Sequence, residues 1–547
     1  MSKKNAIYIA AFSVCAGLLL GAFFEKNAAA AKLASTTPTA TVYRISGNNT
    51  YSNEFTKLNE VLTLINTFYV DTINAGKVTE DILPQVLHDL DPHSVYIPAD
   101  EVEEANEDLN GSFSGIGVSF SILNDTITIV DVIAGGPSEK LGILPGDRIV
   151  QVGDSAFVGE WLNNTKVMKT LRGEKGTKVK IGILRHGYDG ILQFEITRGD
   201  IPVNSVDVAY MINDSIGYIK VSRFGANTYT EFVTELNTLE REGCKAYIVD
   251  LRGNSGGYLN TAIQMINEFL GPNELIVYTE GKIWPRDDAY ADGRGKFSDA
   301  KVCVLINEWS ASASEIFAGA IQDHDRGWIV GRRSFGKGLV QQPYPLKDGS
   351  ELRLTIARYY TPSGRCIQKP YAQGEIDAYD EEIVDRFEKG EIFSADSISF
   401  ADSLKYHTDK GRTVYGAGGI MPDYFVAEDT SYFSDYYKEV LYKGLVYEYA
   451  FDYSDDNRSL LGKYHEHEEL VSYLHKDGIF DKFKAFASGK GISPKAGELE
   501  RSKAAIDELL CAYICRNILG DKGFYPVFNQ NDQTLQKAVE VICTEVR

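Results

Sequence analysis

The spacing of apolar residues changes several times along the chain, and each pattern predicts a different kind of structure. Between residues 51 and 110 the apolar residues recur at helical intervals, broken at Asp91-Pro92 and Pro98. Between residues 111 and 200 short β-branched runs are separated by glycine-rich turns. The first pattern predicts an N-terminal helical segment over residues 51–110, and the second predicts a small β-rich domain over residues 111–200.

Residues 201–427 alternate between buried strands and amphipathic helices, which predicts an α/β domain with a sheet covered by helices. The expected strands are Ile216–Val221, Tyr247–Leu251, Val302–Ile306, Trp328–Val330 and Leu352–Tyr360. The expected helices are Tyr229–Glu242, Leu259–Leu270 and Ser314–Asp323.

Two later stretches differ from this alternating region in composition. Residues 374–412 are acidic and poor in apolar residues, so we expect a solvated surface excursion there. Residues 428–547 are rich in tyrosine and carry apolar residues at helical spacing. They predict a helical C-terminal extension that serves packing more than chemistry.

The N-terminus carries an export signal. Lys3 and Lys4 precede an uncharged apolar run from Ala6 to Phe24, and small residues at Ala28–Ala31 follow. Residues 1–30 are therefore either a cleaved signal peptide or a retained anchor, of which we favour the anchor, and residues 31–50 form a linker. The positive-inside rule then places the rest of the chain in the cell envelope, on the periplasmic side of the inner membrane.

Composition narrows the class of protein. The 547 residues allow several domains, and 44% hydrophobic residues exclude global disorder. Lys+Arg 56 against Asp+Glu 77 gives a net charge of −21, which makes nucleic acid an unfavourable partner. The seven cysteines include no CxxC pair, and His465-Glu466-His467 fits no common ligand spacing, so no metal or other cofactor is expected.

Two glycine-rich stretches imitate known motifs. Gly331–Gly338 resembles a phosphate-binding loop but has Gly338 where Mg²⁺ binding needs Ser or Thr, so we reject nucleotide binding. Gly253-Asn-Ser255-Gly-Gly257 matches a nucleophile elbow, for which His324 or His407 would have to serve as base. A turn with open backbone N–H groups explains the same glycines without making Ser255 a nucleophile.

A serine at the start of a predicted helix is the stronger candidate nucleophile. Ser312-Ala-Ser-Glu315 is a capping box, so Ser312 could simply be a helix cap. The same position lies among unpaired helix N–H groups that can stabilise an oxyanion. Serine needs a base, and burial of Lys337 would lower the pKa of its ammonium group enough to provide one.

Taken in order, these motifs closely resemble those of the C-terminal processing, or tail-specific, proteases, which are serine peptidases with a Ser-Lys dyad and a PDZ domain. The matching stretches are Leu90–Ser94, Gly115–Val118, Gly146–Ile149, Asp250–Gly257, Ser310–Glu315, Phe335–Gln341, Tyr360–Gly364 and Gly418–Asp423. The resemblance covers residues 52 to 426 and implies a crotonase-like α/β protease core over residues 201–427, with PDZ domain 111–200 before it.

The resemblance also implies roles for individual residues. Ser312 would be the nucleophile, Lys337 the general base and Gln341 the residue that orients the lysine. The oxyanion donors would be backbone N–H groups of Ala313 and of a glycine in the Gly256-Gly257 turn. The PDZ loop would bind the C-terminal tail of a protein substrate, through residues Gly115, Ile116, Gly117 and Val118.

Two other functions remain open from the sequence. One is a catalytically silent PDZ scaffold of the envelope, and the other is an esterase built on Ser255 and a histidine. The expected partners of the protease are protein substrates bound by their C-terminal tails and the membrane at the N-terminal segment, with homo-oligomerisation left open. Ser255 departs from the family, which often has proline there, and the stretch 374–412 and the tail after Glu428 are further departures.

Overall fold

A computed structural model describes residues 53–123, 125–133, 135–185, 187–374 and 376–544. The N-terminal segment contains α1 (Asn53–Phe68), α2 (Ala75–His88), β1 (Val95–Ile97) and α3 (Val102–Asn110). The predicted helical segment therefore also contains a short strand. Among the described residues, none of the helices is both long and apolar enough to span a membrane, and the predicted export segment lies outside that range.

The next region is a small β-rich domain around an isoleucine-rich core. Its elements are β2 (Ser112–Gly115), β3 (Val118–Leu123), β4 (Thr126–Val132), α4 (Pro137–Lys140), β5 (Arg148–Val152), β6 (Ser155–Ala156), α5 (Asn164–Leu171), β7 (Lys178–Leu184), β8 (Leu192–Thr197) and β9 (Gly199–Pro202). The main sheet has the order β3-β4-β5-β7-β8, so β3 is an edge strand. β2 pairs antiparallel with β9, which joins the chain entering the domain to the chain leaving it.

The α/β domain is built on a six-stranded sheet with the order β10-β11-β12-β15-β16-β21. Its elements are β10 (Val206–Asn213), β11 (Ile216–Val221), α6 (Thr228–Arg241), β12 (Ala246–Asp250), α7 (Leu259–Asn267), β13 (Leu275–Glu280), β14 (Asp287–Tyr290), β15 (Lys301–Ile306), α8 (Ala313–Asp323), β16 (Trp328–Gly331), β17 (Leu339–Pro345) and β18 (Glu351–Tyr360). β12 and β15 are adjacent and parallel, and Asp250 lies opposite Leu305. Because both strands end at the same edge of the sheet, the loops that follow them meet there.

A second sheet lies beside the first and has the order β1-β18-β13-β14, with β17 also pairing with β18. Val95 of the N-terminal segment pairs with Arg353 of β18, so this segment packs as part of the α/β domain.

The acidic stretch 374–412 lies mostly exposed on the surface, as its composition predicted, but it is folded and packs part of its surface against the core. It contains α9 (Ile376–Glu388), two short 3-10 turns at Ala395–Ser397 and Asp402–Leu404, and β19 (Lys405–His407), which pairs with β20 (Thr413–Tyr415). Tyr379 and Arg386 of α9 are buried against the core. The exposed acidic residues of α9 lie on its outer face, whereas Glu382 is half-buried and pairs with Lys369 at 3.0 Å and with Arg386 at 2.6 Å. Composition averaged over the stretch concealed this inner face.

The chain after β21 (Tyr424–Phe425) is a layer of helices on the outer face of the six-stranded sheet. These helices are α10 (Asp435–Tyr442), α11 (Leu445–Asp456), α12 (Arg458–Leu461), α13 (His467–Lys476), α14 (Ile479–Gly489), α15 (Glu498–Leu519), α16 (Asp521–Phe528) and α17 (Gln533–Thr544). They share one buried cluster with sheet residues such as Tyr218, Ile248 and Leu305. Helices α6, α7 and α8 cover the opposite face. The sheet is therefore buried on both sides, which explains its continuous apolar strands.

Candidate active site

The loops after β12 and β15 are tied together by hydrogen bonds around Asn254. The carbonyl oxygen of Asn254 accepts from the Ala311 amide at 3.0 Å and from the Ser314 hydroxyl at 2.9 Å. Ser312 follows Ala311 and is the N-cap of α8. Its backbone has φ +55°, a conformation that non-glycine residues adopt at a cost of about 1–3 kcal/mol and that is concentrated at functional sites.

Gly256 approaches Ser312 so closely that no side chain fits between them. A Cβ atom on Gly256 would lie 2.7 Å from the Cβ of Ser312 and 3.1 Å from the Ala313 nitrogen. Gly256 also has φ +108°, which disfavours other residues. The glycine turn and the start of α8 therefore form one compact unit.

Two amides in this unit are available to an oxyanion. The Gly256 amide donates to Asn254 Oδ1 at 2.8 Å, so it is already occupied. In the described part of the chain, no hydrogen-bond acceptor is assigned to the amides of Gly257 and Ala313. Both residues line the same small cleft as Ser312. Of the two glycines suggested by the sequence, Gly257 is the better donor.

Lys337 lies buried in the loop between β16 and β17. Its Nζ donates to Gln341 Oε1 at 3.0 Å, and Gln341 Nε2 donates in turn to the carbonyl oxygen of His93. Burial of the ammonium group lowers the pKa of Lys337 to about 8. At this pKa about one tenth of Lys337 is neutral at pH 7 and about half at pH 8.

Tyr359 connects the backbone of the serine to the backbone of the lysine. Its Oη lies 3.1 Å from the carbonyl oxygen of Ser312 and also contacts the carbonyl oxygen of Lys337. Tyr359, Ser312 and Gln341 line the same cleft. The structure therefore brings Ser312, Ala313, Gly257 and Gln341 to one cleft, and Lys337 is linked to that cleft through Gln341 and Tyr359.

Glu315 is a second link between α8 and the Lys337 loop. Its buried carboxylate accepts from the amides of Ser312 at 2.8 Å, Lys337 at 2.8 Å and Gly336 at 2.7 Å. The Ser334 hydroxyl donates to it at 2.5 Å. Burial raises the pKa of Glu315 to about 7, although these four hydrogen bonds oppose the shift.

The insertion and the C-terminal layer both reach this unit. Arg386 of α9 donates to the carbonyl oxygens of Ser334 at 2.7 Å and Phe335 at 3.0 Å, just before Lys337. The Tyr379 hydroxyl lies 2.9 Å from His93 Nε2. On the other side, Asp532 forms an ion pair of 2.6 Å with Arg252, which precedes the glycine turn.

Models of three protein families match separate regions of the chain, and one of these regions contains Ser312, Lys337 and Gln341. The model of peptidase family S41 matches residues 215–377, the PDZ domain model matches 114–197, and a family of unknown function matches 436–520. A carboxy-terminal-processing protease of Bartonella bacilliformis is 36% identical over 325 residues, which cover 58% of this chain and 74% of that protein. The chain belongs to this protease family.

Two further relatives extend the comparison. A probable CtpA-like serine protease of Staphylococcus haemolyticus is 35% identical, over 57% of this chain and 62% of that protein. The solved photosystem II D1 C-terminal processing protease is 26% identical and covers 58% of this chain and 91% of that structure, with a TM-score of 0.32. The protein is thus a serine peptidase with a PDZ domain, and the predicted α/β fold class with helical segments at both ends is confirmed.

The alternative catalytic serine has a different environment in this peptidase. Ser255 is exposed on the turn. Both ring nitrogens of His324 are engaged, Nδ1 with Asp409 at 2.7 Å and Nε2 with the Leu275 carbonyl at 2.7 Å. His407 is exposed on β19 of the insertion. No hydrogen bond joins Ser255 to a histidine within the described ranges, so the esterase arrangement is not assembled.

Three residues of the site escaped the sequence analysis. In the sequence, Glu315 was identified only as the last residue of a capping box. A capping-box glutamate followed by a glycine-rich loop with a lysine is the pattern that indicates its link to that loop. Tyr359 and His93 act through atoms that meet Ser312, Lys337 and Gln341 only in the folded chain. These contacts join residues that are far apart in the chain, so no local sequence pattern predicts them.

The PDZ loop and its strand form a second candidate site. Gly117 has φ +79° and follows Ile116, whose side chain is buried in the PDZ core. The Ile116 carbonyl oxygen accepts from the Ser138 amide at 3.0 Å and from its hydroxyl at 2.7 Å. These contacts fix the loop from Gly115 to Val118 at the end of edge strand β3.

Proposed function

We propose that this peptidase cleaves exported proteins near their C-termini by a Ser-Lys mechanism. Ser312 is the nucleophile, Lys337 the general base and Gln341 the residue that orients it. The observation that carries the proposal is the buried Nζ of Lys337, which donates to a neutral amide oxygen of Gln341 and whose pKa is lowered to about 8. A lysine in that state can accept a proton under physiological conditions.

The proposed reaction has two stages, acylation of Ser312 and hydrolysis of the acyl-enzyme. Ser312 Oγ attacks the scissile carbonyl carbon while its proton passes to the neutral Lys337 Nζ. The amides of Ala313 and Gly257 stabilise the oxyanion of the tetrahedral intermediate. The Lys337 ammonium returns a proton to the leaving amine, and an acyl-enzyme remains on Ser312. Neutral Lys337 next takes a proton from water, whose oxygen attacks the ester carbonyl. The bond from the carbonyl carbon to Ser312 Oγ then breaks, the Lys337 ammonium returns the proton to Ser312 Oγ, and the N-terminal fragment leaves with a new C-terminal carboxyl group.

We assign substrate selection to the PDZ domain. An extended chain can add to the open edge of β3, and backbone N–H groups in Gly115–Val118 can bind its terminal carboxylate. Main-chain hydrogen bonds supply affinity in such a complex, and the pocket for the last side chain supplies selectivity. The bound tail would place the preceding residues within reach of Ser312.

We also propose that the peptidase acts in the cell envelope, on the periplasmic side of the inner membrane. The apolar run of residues 6–24 behind Lys3 and Lys4 supports export and anchoring. Protease added to intact spheroplasts should digest the domains beyond residue 51. Protection of the whole chain would contradict this location.

Tail selection is tested with paired substrates. One protein is prepared with a free C-terminal carboxylate and again with an amidated C-terminus. The free form should be cleaved at least tenfold faster at low concentration, because only it offers a carboxylate to the PDZ loop. Equal rates would contradict tail recognition.

The natural substrates can be identified by incubating the Ser312→Ala protein with envelope extract and analysing the proteins that stay bound to it. The expected result is a set of captured proteins with related C-terminal residues. Random termini would overturn the selection proposal while leaving the dyad intact.

A further inference from the structure

A histidine, an aspartate and a cysteine meet in the C-terminal helical layer, away from the peptidase site. His475 lies in the last turn of α13, and Asp507 and Cys511 lie on α15. Asp507 and Cys511 are four residues apart, so their side chains share one face of the helix. That face is turned towards the end of α13.

The donor atoms of the three side chains converge. His475 Nε2 lies 3.0 Å from Asp507 Oδ2 and 3.7 Å from Cys511 Sγ. One ligand atom from each residue falls within 4.8 Å of the other two. Among the described residues no other group of His, Cys, Asp and Glu with this convergence was found.

These separations match those of a tetrahedral metal shell. Zinc bonds of about 2.0–2.1 Å to nitrogen, about 2.3 Å to sulfur and about 2.0–2.2 Å to oxygen place neighbouring donors roughly 3.3–3.6 Å apart. The two pairs that include His475 Nε2, at 3.0 Å and 3.7 Å, lie close to that range, and the Asp507 and Cys511 donors lie within 4.8 Å of each other.

The arrangement is unsuited to nucleophilic catalysis. A Cys-His-Asp triad uses both ring nitrogens of the histidine, one towards the thiol and the other towards the carboxylate. Here the same nitrogen, Nε2, faces both partners. Convergence on one nitrogen is the pattern of ligands around a shared ion.

Burial is graded across the group. Cys511 is buried, Asp507 is half-buried and the side chain of His475 is 52% exposed. An ion held there would have protein ligands on the inner side and a water molecule on the outer side. A mixed nitrogen, oxygen and sulfur donor set favours zinc over magnesium or calcium, which prefer oxygen alone.

We propose that His475, Asp507 and Cys511 bind one zinc-class divalent cation that joins α13 to α15. Binding replaces the thiol proton of Cys511, which passes to solvent, and leaves a thiolate on the metal. The ion would stabilise the helical layer against the sheet, because it binds the folded arrangement and not the separated helices. This inference does not depend on the Ser-Lys mechanism.

Cobalt titration of the purified full chain tests the site. Co²⁺ is a spectroscopic substitute for Zn²⁺, and a thiolate ligand gives a charge-transfer band in the near ultraviolet. The wild-type protein should show the band at one equivalent, and Zn²⁺ should remove it. Cys511→Ala should lose the band, and His475→Ala should weaken cobalt binding at least tenfold.

Matched controls separate the site from other cysteines and histidines. Cys515→Ala removes a second buried cysteine one turn further along α15, and His467→Ala removes a histidine from the same helix as His475. Both should keep the band. Zn²⁺ should also raise the melting temperature of the wild type but not of His475→Ala, an exposed substitution. Absence of the band in wild type, or its survival in Cys511→Ala, would overturn the proposal.

Discussion

Two serines stand in similar sequence surroundings but differ in burial and in the loops that lie beside them. Ser255 and Ser312 follow adjacent parallel strands of the same sheet, and each precedes a helix. Ser255 is exposed, whereas Ser312 is buried at positive φ beside the Lys337 loop. A strand-turn-helix context is therefore not sufficient to identify a serine as a nucleophile. The structural difference is the Lys337 loop, which is linked to Ser312 through Tyr359 and Glu315 and has no such link to Ser255 among the described residues.

The largest effect should come from removing either member of the proposed pair. Ser312→Ala and Lys337→Ala should each lower the rate of tail cleavage by about 10⁴-fold or more, because neither group acts without the other. Cleavage of a tailed protein and fluorophosphonate labelling of Ser312 measure this. An active Ser312→Ala protein would show that Ser312 is not the nucleophile and would leave Ser255 as the candidate.

Replacing Glu315 tests whether the link between α8 and the Lys337 loop is what distinguishes Ser312 from Ser255 in activity. Glu315→Gln turns one acceptor oxygen into a donor that faces the hydroxyl and amides now bound there. Each buried donor left unpaired costs about 1–3 kcal/mol, so kcat should fall roughly 100-fold. Glu274→Gln, just before β13 where the Gly271 amide donates to Glu274 at 2.7 Å, is a control that should retain full activity.

The pH profile tests the state of the base. Lys337 must be neutral to accept a proton, and burial lowers its pKa to about 8. The kcat/KM should therefore rise about tenfold per pH unit and level off above about pH 8, so that it is roughly 100-fold lower at pH 6 than on the plateau. A flat profile from about pH 5 to 9 would contradict a lysine base.

A smaller effect is expected from a substitution in the insertion, residues 374–412, which in the described part of the chain contacts the Lys337 loop beside Ser312 and not the turn that carries Ser255. Arg386→Ala removes the two hydrogen bonds to Ser334 and Phe335 that position the loop before Lys337. We expect kcat to fall about tenfold with KM unchanged, since each lost hydrogen bond contributes about 0.5–1.5 kcal/mol. Arg386→Lys should recover part of the loss.

Lys389→Ala on the same helix is the matched control, because Lys389 is exposed and pairs only weakly with Asp385 at 3.5 Å. It should leave kcat unchanged. Equal losses in both variants would show that α9 acts through general stability and not through the loop.

The smallest effect should come from Ser255→Ala. The side chain is exposed, so its removal should change the rate of tail cleavage by less than about twofold. The assay is the same tailed substrate used for Ser312→Ala. A dead Ser255→Ala protein would make Ser255 the nucleophile.

Much of the α/β fold was predictable because its signals are local. The strands Ile216–Val221 and Val302–Ile306 are continuous apolar runs, and the structure places β11 and β15 there. The inner face of α9 was not predictable, because its two buried side chains, Tyr379 and Arg386, are outnumbered by acidic neighbours. Strand Val95–Ile97 escaped prediction because its partner lies more than 250 residues away in β18.

The candidate site divides in the same way. The sequence by itself determined the family, the order of its motifs and the candidate residues Ser312, Lys337 and Gln341, since these are properties of short stretches. Only the tertiary structure decided that Lys337 is buried, that Gly257 offers its amide while Gly256 does not, and that Ser255 stays exposed. Burial and hydrogen-bond partners depend on residues distant in the chain, and they decide which polar groups can react.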